Sequence, residues 1–421
     1  MLYYLIEWLK GIGLPGMGIF QYISFRSAAA LVTALIISIF FGKYFIHYLQ
    51  KKQIGESVRD LGLDGQKEKT GTPTMGGFII IASILIPALL LCDMRNIYVL
   101  LMLFTTIWLG ILGFIDDYIK IFKKNKEGLS PKKKLIGQIV LGLVVGSAMY
   151  FHPNVVICEK VSKHPTVYST ASSNDLLQFG NQENSNAPKI FDKPHHSSKT
   201  TIPFVKNHEL DYSFLTRYFG DKTGKWSFLL FIPLIVFIIA AVSNGANLTD
   251  GLDGLATGTT APMAVGIALL AYVSGNVVFA DYLNIMYIPN SGELAIFISA
   301  VIGACIGFYW WNCYPAKVFM GDTGSLTLGG IIAVSCIIIR KELLIPILCG
   351  VYLAQSLSVI VQVSYFKFTK KKYGEGKRIL LMSPLHHHFQ KKGLHESTIV
   401  QRFIIVSMLL AVLTLVTLKI R

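Results

Sequence analysis

Residues 97–126 read IYVLLMLFTTIWLGILGFIDDYIKIFKKNK. The first part, 97–115, carries no charge and is long enough to cross a bilayer as a helix. Two adjacent aspartates follow, Asp116 and Asp117, and then Lys120, Lys123, Lys124 and Lys126. Adjacent carboxylates repel each other, and at a helix C-terminus the backbone dipole disfavours them as well. On a helix, residues four apart share a face, so Asp116 is expected to pair with Lys120, while Asp117 points about 100° away. The plain reading is a helix end with solvated charges. A pair that breaks local rules invites a functional one.

The rest of the chain sets the context. Of 421 residues, 52% are hydrophobic and 15% charged, where a soluble domain carries about 25% charge. Mean hydropathy is +0.53. The apolar residues fall in ten runs, at about 19–41, 75–92, 97–115, 135–151, 227–244, 255–274, 293–310, 325–339, 343–366 and 399–418. None alternates with period two, which favours helices over a barrel. The expected fold is an all-α integral membrane protein of about ten transmembrane helices, a single polytopic domain over 1–421. The N-terminus lacks the basic start of a signal peptide and reads as a short interfacial helix. The six cysteines have no metal-like spacing and read as packing residues.

Charge gives orientation. The odd-to-even connections, 42–74, 116–134, 245–254, 311–324 and 367–398, hold 22 Lys and Arg. Outside the long connection 152–226, the opposite side holds 7. The positive-inside rule then places the first set in the cytoplasm and both termini outside. The net charge of +15 suits a membrane face that meets anionic lipid and anionic substrate, without nucleic acid. The 152–226 insert is polar and rich in Ser and Asn, and reads as a loosely ordered extracytoplasmic excursion, of which about 160–220 could be deleted. His195 and His196 within it read as a solvated pair rather than a metal site.

The five cytoplasmic connections hold nearly all the unusual chemistry. The first ends in KEKTGTPTMGG, with Lys69 and Thr74 among glycines whose amides could approach an anion. An ordinary turn into a helix is the plainer reading of that loop. The second carries Asp116, Asp117, Lys120 and Lys132. The third, SNGANLTDGLDGLATG, holds Asn244, Asn247, Asp250, Gly251 and Asp253. The fourth, WWNCYPAKVFMGDTGS, holds Asn312, Lys317, Phe319 and Asp322. The fifth, GKRILLMSPLHHHFQKKG, holds His386, His387 and His388. Three consecutive side chains cannot all face one metal from a regular helix; at most two would face one ligand, which argues against a three-His zinc site. Carboxylates suit Mg²⁺, cations suit phosphate, and apolar helices suit a lipid chain.

GFIDDYIK, NLTDGLDGLA, NCYPAKVFMGDTGS and SPLHHHFQKKG occur here in one order. Together they resemble the polyprenyl-phosphate hexosamine-1-phosphate transferases over nearly the whole chain. The HHHF string is similar to their phospho-N-acetylmuramoyl-pentapeptide branch. The insert is the departure. The resemblance implies a Mg²⁺ enzyme of the bacterial inner membrane, with its site on the cytoplasmic face. It implies transfer of phospho-N-acetylmuramoyl-pentapeptide from UDP to undecaprenyl phosphate, giving lipid I for peptidoglycan synthesis, with release of UMP. It implies Asp322 and Asp117 at the metal, and Asp116 facing the lipid phosphate as base or electrostatic partner. His387 joins the catalytic set. Lys69, Thr74, Asn247, Asp250, Gly251, Asp253, Asn312 and Phe319 would contact the nucleotide, with Phe319 stacked on uracil. His386 and His388 would bind substrate, and Lys120 and Lys132 would bind phosphate. A homodimer and other cell-wall enzymes are candidate partners. A sister enzyme moving N-acetylglucosamine-1-phosphate would share the aspartates but not HHHF. A secondary transporter would place charges at mid-membrane, where these spans have almost none.

Overall fold

The computed structural model describes residues 3–4, 17–52, 69, 71–123, 125, 127–160, 191–202, 209–214 and 225–419. Each of the ten apolar runs falls on a helix. In chain order these are α1 (Ile23–Lys51), α2 (Gly77–Leu91), α3 (Ile97–Phe122), α4 (Pro131–Phe151), α5 (Phe228–Thr249) and α6 (Leu255–Ser274). A short α7 (Val277–Leu283) precedes α8 (Gly292–Asn312) and α9 (Gly321–Ile338). Then come α10 (Ile345–Leu348), α11 (Gly350–Tyr373), the short α12 (Leu385–Lys391) and α13 (Glu396–Val416). Eight of them are long and apolar enough to span a membrane, and α2, at 15 residues, is shorter. The expected ninth span is not one straight rod: Glu342–Leu348 and Gly350–Tyr373 meet at 78°. The break swings the second half of α11 out of the bundle, so that between residues 361 and 373 only Gln362 and Thr369 are buried.

The middle of the bundle is α9. Its sequence, GDTGSLTLGGIIAVSCII, is built of small and β-branched residues, which let neighbouring backbones approach closely where lipid gives no hydrophobic drive. It packs on α3, α5 and α2 and is buried along almost its whole length. Two of its buried hydroxyls are satisfied within the helix: Thr327 and Ser335 donate to the carbonyls four residues back, at 2.7 and 2.6 Å. An unpaired hydroxyl at that depth would cost several kcal/mol, about the price of any unsatisfied polar group in hydrocarbon.

One end of the bundle is tied by charge. Arg26 of α1 donates from both terminal nitrogens to Glu293 of α8, at 3.0 and 2.6 Å, and also reaches the Leu91 carbonyl. The described parts of the 152–226 insert lie at this same end, and they are packed rather than loose. Strands β1 (Lys199–Thr201) and β2 (Glu209–Asp211) pair antiparallel. The Thr201 amide and the Thr200 hydroxyl both donate to the Arg340 carbonyl. The buried Lys341 ammonium donates to Thr201 Oγ1 at 2.6 Å, and Tyr212 donates to the buried Glu342 at 3.1 Å. The insert therefore covers a buried Arg-Lys-Glu run, which its polar composition did not reveal. His195 lies at the surface beside Glu159 and Asp192, 3.3 and 3.2 Å away. The interfacial helix expected at the N-terminus falls largely outside the described residues, and Met17–Gln21 forms a 3-10 turn. All six cysteines are free, and all but Cys313 are buried.

Candidate active site

At the other end the five motif connections touch one another. The turn after Lys69 runs beside the fourth connection like a strand: Phe319 N donates to the Pro73 carbonyl, and Gly76 N and Gly77 N donate to the carbonyls of Phe319 and Met320, all at 2.8 Å. The amides of Gly76 and Gly77 therefore hold the chain together and are not offered to an anion; the turn reading applies to them. This docking sets where α9 starts, and with it where Asp322 stands.

Asp116 and Asp117 leave α3 in two directions, and the structure gives them different surroundings. Asp117 lies under the N-terminus of α9. Its carboxylate accepts the amides of Asp322 and Thr323 at 3.0 and 2.9 Å, and the Thr323 hydroxyl at 2.6 Å. It thus caps a helix that begins elsewhere in the chain, where the dipole favours negative charge. The sign problem seen along α3 is resolved for Asp117 by a tertiary neighbour. Gly321 makes room for it: φ is +73°, and a Cβ there would lie 2.6 Å from Asp117 Oδ2.

Asp116 is fully buried and faces two ammonium groups. Lys120 Nζ is 2.6 Å from Oδ2, and Lys134 Nζ is 3.0 Å from Oδ1. Oδ1 also accepts the Leu129 amide at 2.6 Å. Oδ2 has the Lys120 charge beside it, but no directed hydrogen bond. The same two lysines reach Asp322, at 3.1 Å from Lys120 and 2.5 Å from Lys134. Two carboxylates and two ammoniums therefore form a closed square, with Asp117 behind it. Gly128, at φ +66°, closes the square from above, since a Cβ there would lie 2.6 Å from Asp116 Oδ1. Oxygens of Asp116, Asp117 and Asp322 come within 4.8 Å of one another, which is a spacing that can hold a cation.

A second cluster holds the first, third and fifth connections. Lys69 Nζ donates to Asp253 and to Glu396, each at 2.6 Å. Asp253 accepts the Ala316 amide at 3.0 Å through its other oxygen, and its own amide donates to Glu396 at 2.7 Å. Between the two clusters Asn247 donates to Ser325 at 2.9 Å, and Ser325 to the Gly321 carbonyl at 3.0 Å.

The histidines part company. His386 is buried, donates from Nδ1 to Gln355 Oε1 at 3.1 Å, and rests against Gly251 with no room for a side chain there. Burial pushes its pKa well below 6.5, so it is neutral. His387 is half-buried and bonded to Gln390 at 2.7 Å; burial lowers its pKa, and the Lys69 charge adds to that. His388 accepts the Leu381 amide at 3.2 Å. Asn312, expected as a substrate contact, is buried and occupied: its oxygen accepts the Gly254 amide at 3.1 Å and its nitrogen donates to Val318 at 2.8 Å. Thr74 is buried, Phe319 half-buried, and Asp250 closes α5.

Lys132, expected as a phosphate contact, is exposed on α4 and outside the square. Lys134 is the α4 lysine that stands in the square. The signal was available, because Lys134 lies one turn before Gln138 and in register with Leu141 and Val145, the buried face of the helix. Glu396 was missed because an acid in the first turn of a helix reads as ordinary dipole complementation.

A family profile described as Glycosyl transferase family 4 matches residues 197–340. The chain is 57% identical to the phospho-N-acetylmuramoyl-pentapeptide-transferase of Flavobacterium psychrophilum, over 100% of both chains. It is 55% identical to the protein of that name from Flavobacterium johnsoniae, and 53% to that from Parabacteroides distasonis, again over 100% of both. These alignments run end to end and include the 152–226 connection.

Proposed function

The chain belongs to the phospho-N-acetylmuramoyl-pentapeptide transferases, and from that premise we propose how its motif end carries out the transfer. It is a multi-pass enzyme of the bacterial inner membrane. It moves phospho-N-acetylmuramoyl-pentapeptide from UDP to the undecaprenyl phosphate carrier, the step that makes lipid I. The observation that carries the mechanism is the square of Asp116, Asp322, Lys120 and Lys134. A phosphate oxygen of the carrier attacks the sugar-linked phosphorus of the donor. The bond from that phosphorus to the UMP oxygen breaks, and UMP leaves with the electron pair. Attacker and target are both anions, so positive charge held in place before they meet lowers the barrier.

Lys120 and Lys134 supply that charge. Asp116 and Asp322 keep both ammoniums at the mouth of the site, and phosphate oxygens displace the weaker contacts. A phosphate's second pKa is near ~6, so the carrier arrives largely deprotonated and Asp116 orients lysines more than it removes a proton. Direct displacement fits better than an aspartyl-phosphate intermediate, because Asp116 is wholly buried among donors. Asp322 is the more open carboxylate, and with Asp116 and Asp117 it would hold Mg²⁺, which supplies Lewis-acid stabilisation of phosphoryl oxygens when bound. We assign the motif end to the cytoplasm, where the sugar nucleotide is found. Lys69, Thr74, Asn247, Asp250, Gly251, Asp253, Phe319, His387 and His388 would form the nucleotide pocket. Asn312 and His386 would support it from behind.

The test is transfer of radiolabelled donor to undecaprenyl phosphate in detergent, with Mg²⁺ and after chelation, alongside calorimetric titration of the wild type and Asp322→Ala with Mg²⁺. Full turnover after chelation would remove the metal from the mechanism. Turnover with UDP-N-acetylglucosamine instead of the muramoyl donor would assign the sister activity.

A further inference from the structure

Glu396 is the first residue of α13, a helix that carries none of the motifs. Oε1 of its buried carboxylate accepts from the Lys69 ammonium at 2.6 Å and from the Asp253 amide at 2.7 Å. Lys69 also donates to Asp253, so one ammonium meets two buried carboxylates, and the three side chains sum to one negative charge. Two like charges drawn out of water this close together cost stability. A neutral Gln at 396 would still offer a carbonyl oxygen to the Asp253 amide without that cost.

The charge is not needed to dock the helix either. His395 caps the start of α13, accepting the Ser397 amide at 3.3 Å. Ile399 and Val400 pack with Leu252 and Leu255 in one buried apolar cluster. Further along, Ser407 donates to the Thr259 carbonyl of α6 at 2.7 Å. The third connection and α13 are therefore joined without Glu396, and what its carboxylate adds is the placement of Lys69. An ammonium has three N–H donors. Two of them go to carboxylates from different elements, which together aim the third. Held by Asp253 alone, a flexible four-carbon stem could swing about a single contact. We propose that Glu396 is a positioning residue for the donor nucleotide: it fixes Lys69 against Asp253, so that the ammonium meets the nucleotide in one orientation. This rests on the transferase reading above, which puts Lys69 and Asp253 in the nucleotide pocket, and adds to it a residue that acts through Lys69. A local rule broken by a charge that folding does not require fits such a role.

The experiment is a double-mutant cycle on the full chain in detergent, with the wild type, Glu396→Gln, Lys69→Met and the double variant. For each, KM is measured for UDP-N-acetylmuramoyl-pentapeptide and for undecaprenyl phosphate, together with kcat and the melting temperature. Glu396→Gln is expected to raise the KM of the nucleotide donor about tenfold, the scale of one charge-assisted hydrogen bond. It should leave the KM of the lipid carrier unchanged and the melting temperature equal or higher. In the Lys69→Met background the same change should add nothing, because Glu396 acts through Lys69. A lower melting temperature with both KM values unchanged would make Glu396 a structural residue and overturn the proposal. So would an equal rise in both KM values, or a full additive effect in the absence of Lys69. Wild-type protein that transfers nothing from the muramoyl donor would instead bring down the transferase reading, and the role of Glu396 with it.

Discussion

Asp116 and Asp117 are neighbours in sequence with different work. Mutual repulsion predicts that removing the pair costs activity and not stability. The structure divides that expectation, because Asp117 caps α9 while Asp116 holds lysines. Asp117→Ala is expected to lower stability by about 1 kcal/mol, the usual cost of a lost helix cap, and Asp117→Asn by less. Asp116→Asn should leave the melting temperature close to wild type, since Lys120 and Lys134 keep Asp322. Its turnover should fall by at least ~100-fold, as when a preorganised charge is lost from a transition-state site. Melting curves and turnover on one detergent preparation separate the two residues; an active Asp116→Asn would end its role. Lys134→Met should be as damaging as Lys120→Met, and Lys132→Met close to neutral. The reverse order would mean that the phosphates approach from the outer face of α4.

At the scale of the element, α12 carries a group that makes stability depend on pH. His386 is held neutral by burial, so its folded pKa lies below the ~6.5 of the unfolded chain. Between those two values the unfolded state binds the proton and the folded state does not. Stability is therefore lost as pH falls below about 6.5, with a slope of up to about 1.4 kcal/mol per pH unit for one such group. Melting temperature should decline from pH 7 to pH 5, and His386→Gln should flatten that decline while lowering the value at pH 7. An unchanged acid slope in the variant would move the effect to another group. The bent α10–α11 pair belongs to this scale too. Hydropathy recognises an apolar run of the right length, but a break is a matter of what packs on each half, and α11 leaves the bundle only over its outer half, beyond residue 361.

At the scale of the molecule, two predictions concern sidedness and the insert. A thiol probe that cannot cross membranes should label a cysteine placed at Lys193 in intact cells and fail at Glu127; both sites are exposed, and of the native cysteines only Cys313 is not buried. The opposite pattern would invert the topology and separate the site from its nucleotide. Deleting 160–220 would strip β1 and β2 from Arg340, Lys341 and Glu342. Uncovering buried charges of this kind should lower stability by several kcal/mol, roughly the cost of breaking a buried pair. Removing only 161–190 is different, because Lys160 and Phe191 already sit opposite each other in a bridge and a two-residue turn can join them. That shorter deletion should keep both fold and transfer activity in detergent. If it abolished activity in folded protein, residues 161–190 would be part of the working structure.

The run from 97 to 126 already contained the membrane span, its charged mouth and the Asp116–Lys120 pair. These depend on length, hydropathy and helical spacing, all of which are local. That the apolar runs become helices, and that the motifs collect in one set of loops, was legible for the same reason. Tertiary structure alone decided what each charge meets. Asp117 found the amides of a helix some two hundred residues away, Lys134 rather than Lys132 entered the square, and Glu396 joined Lys69 and Asp253. A carboxylate in low dielectric takes whatever donor the fold brings within about 3 Å. That choice is made by helix packing, which no spacing within one connection encodes.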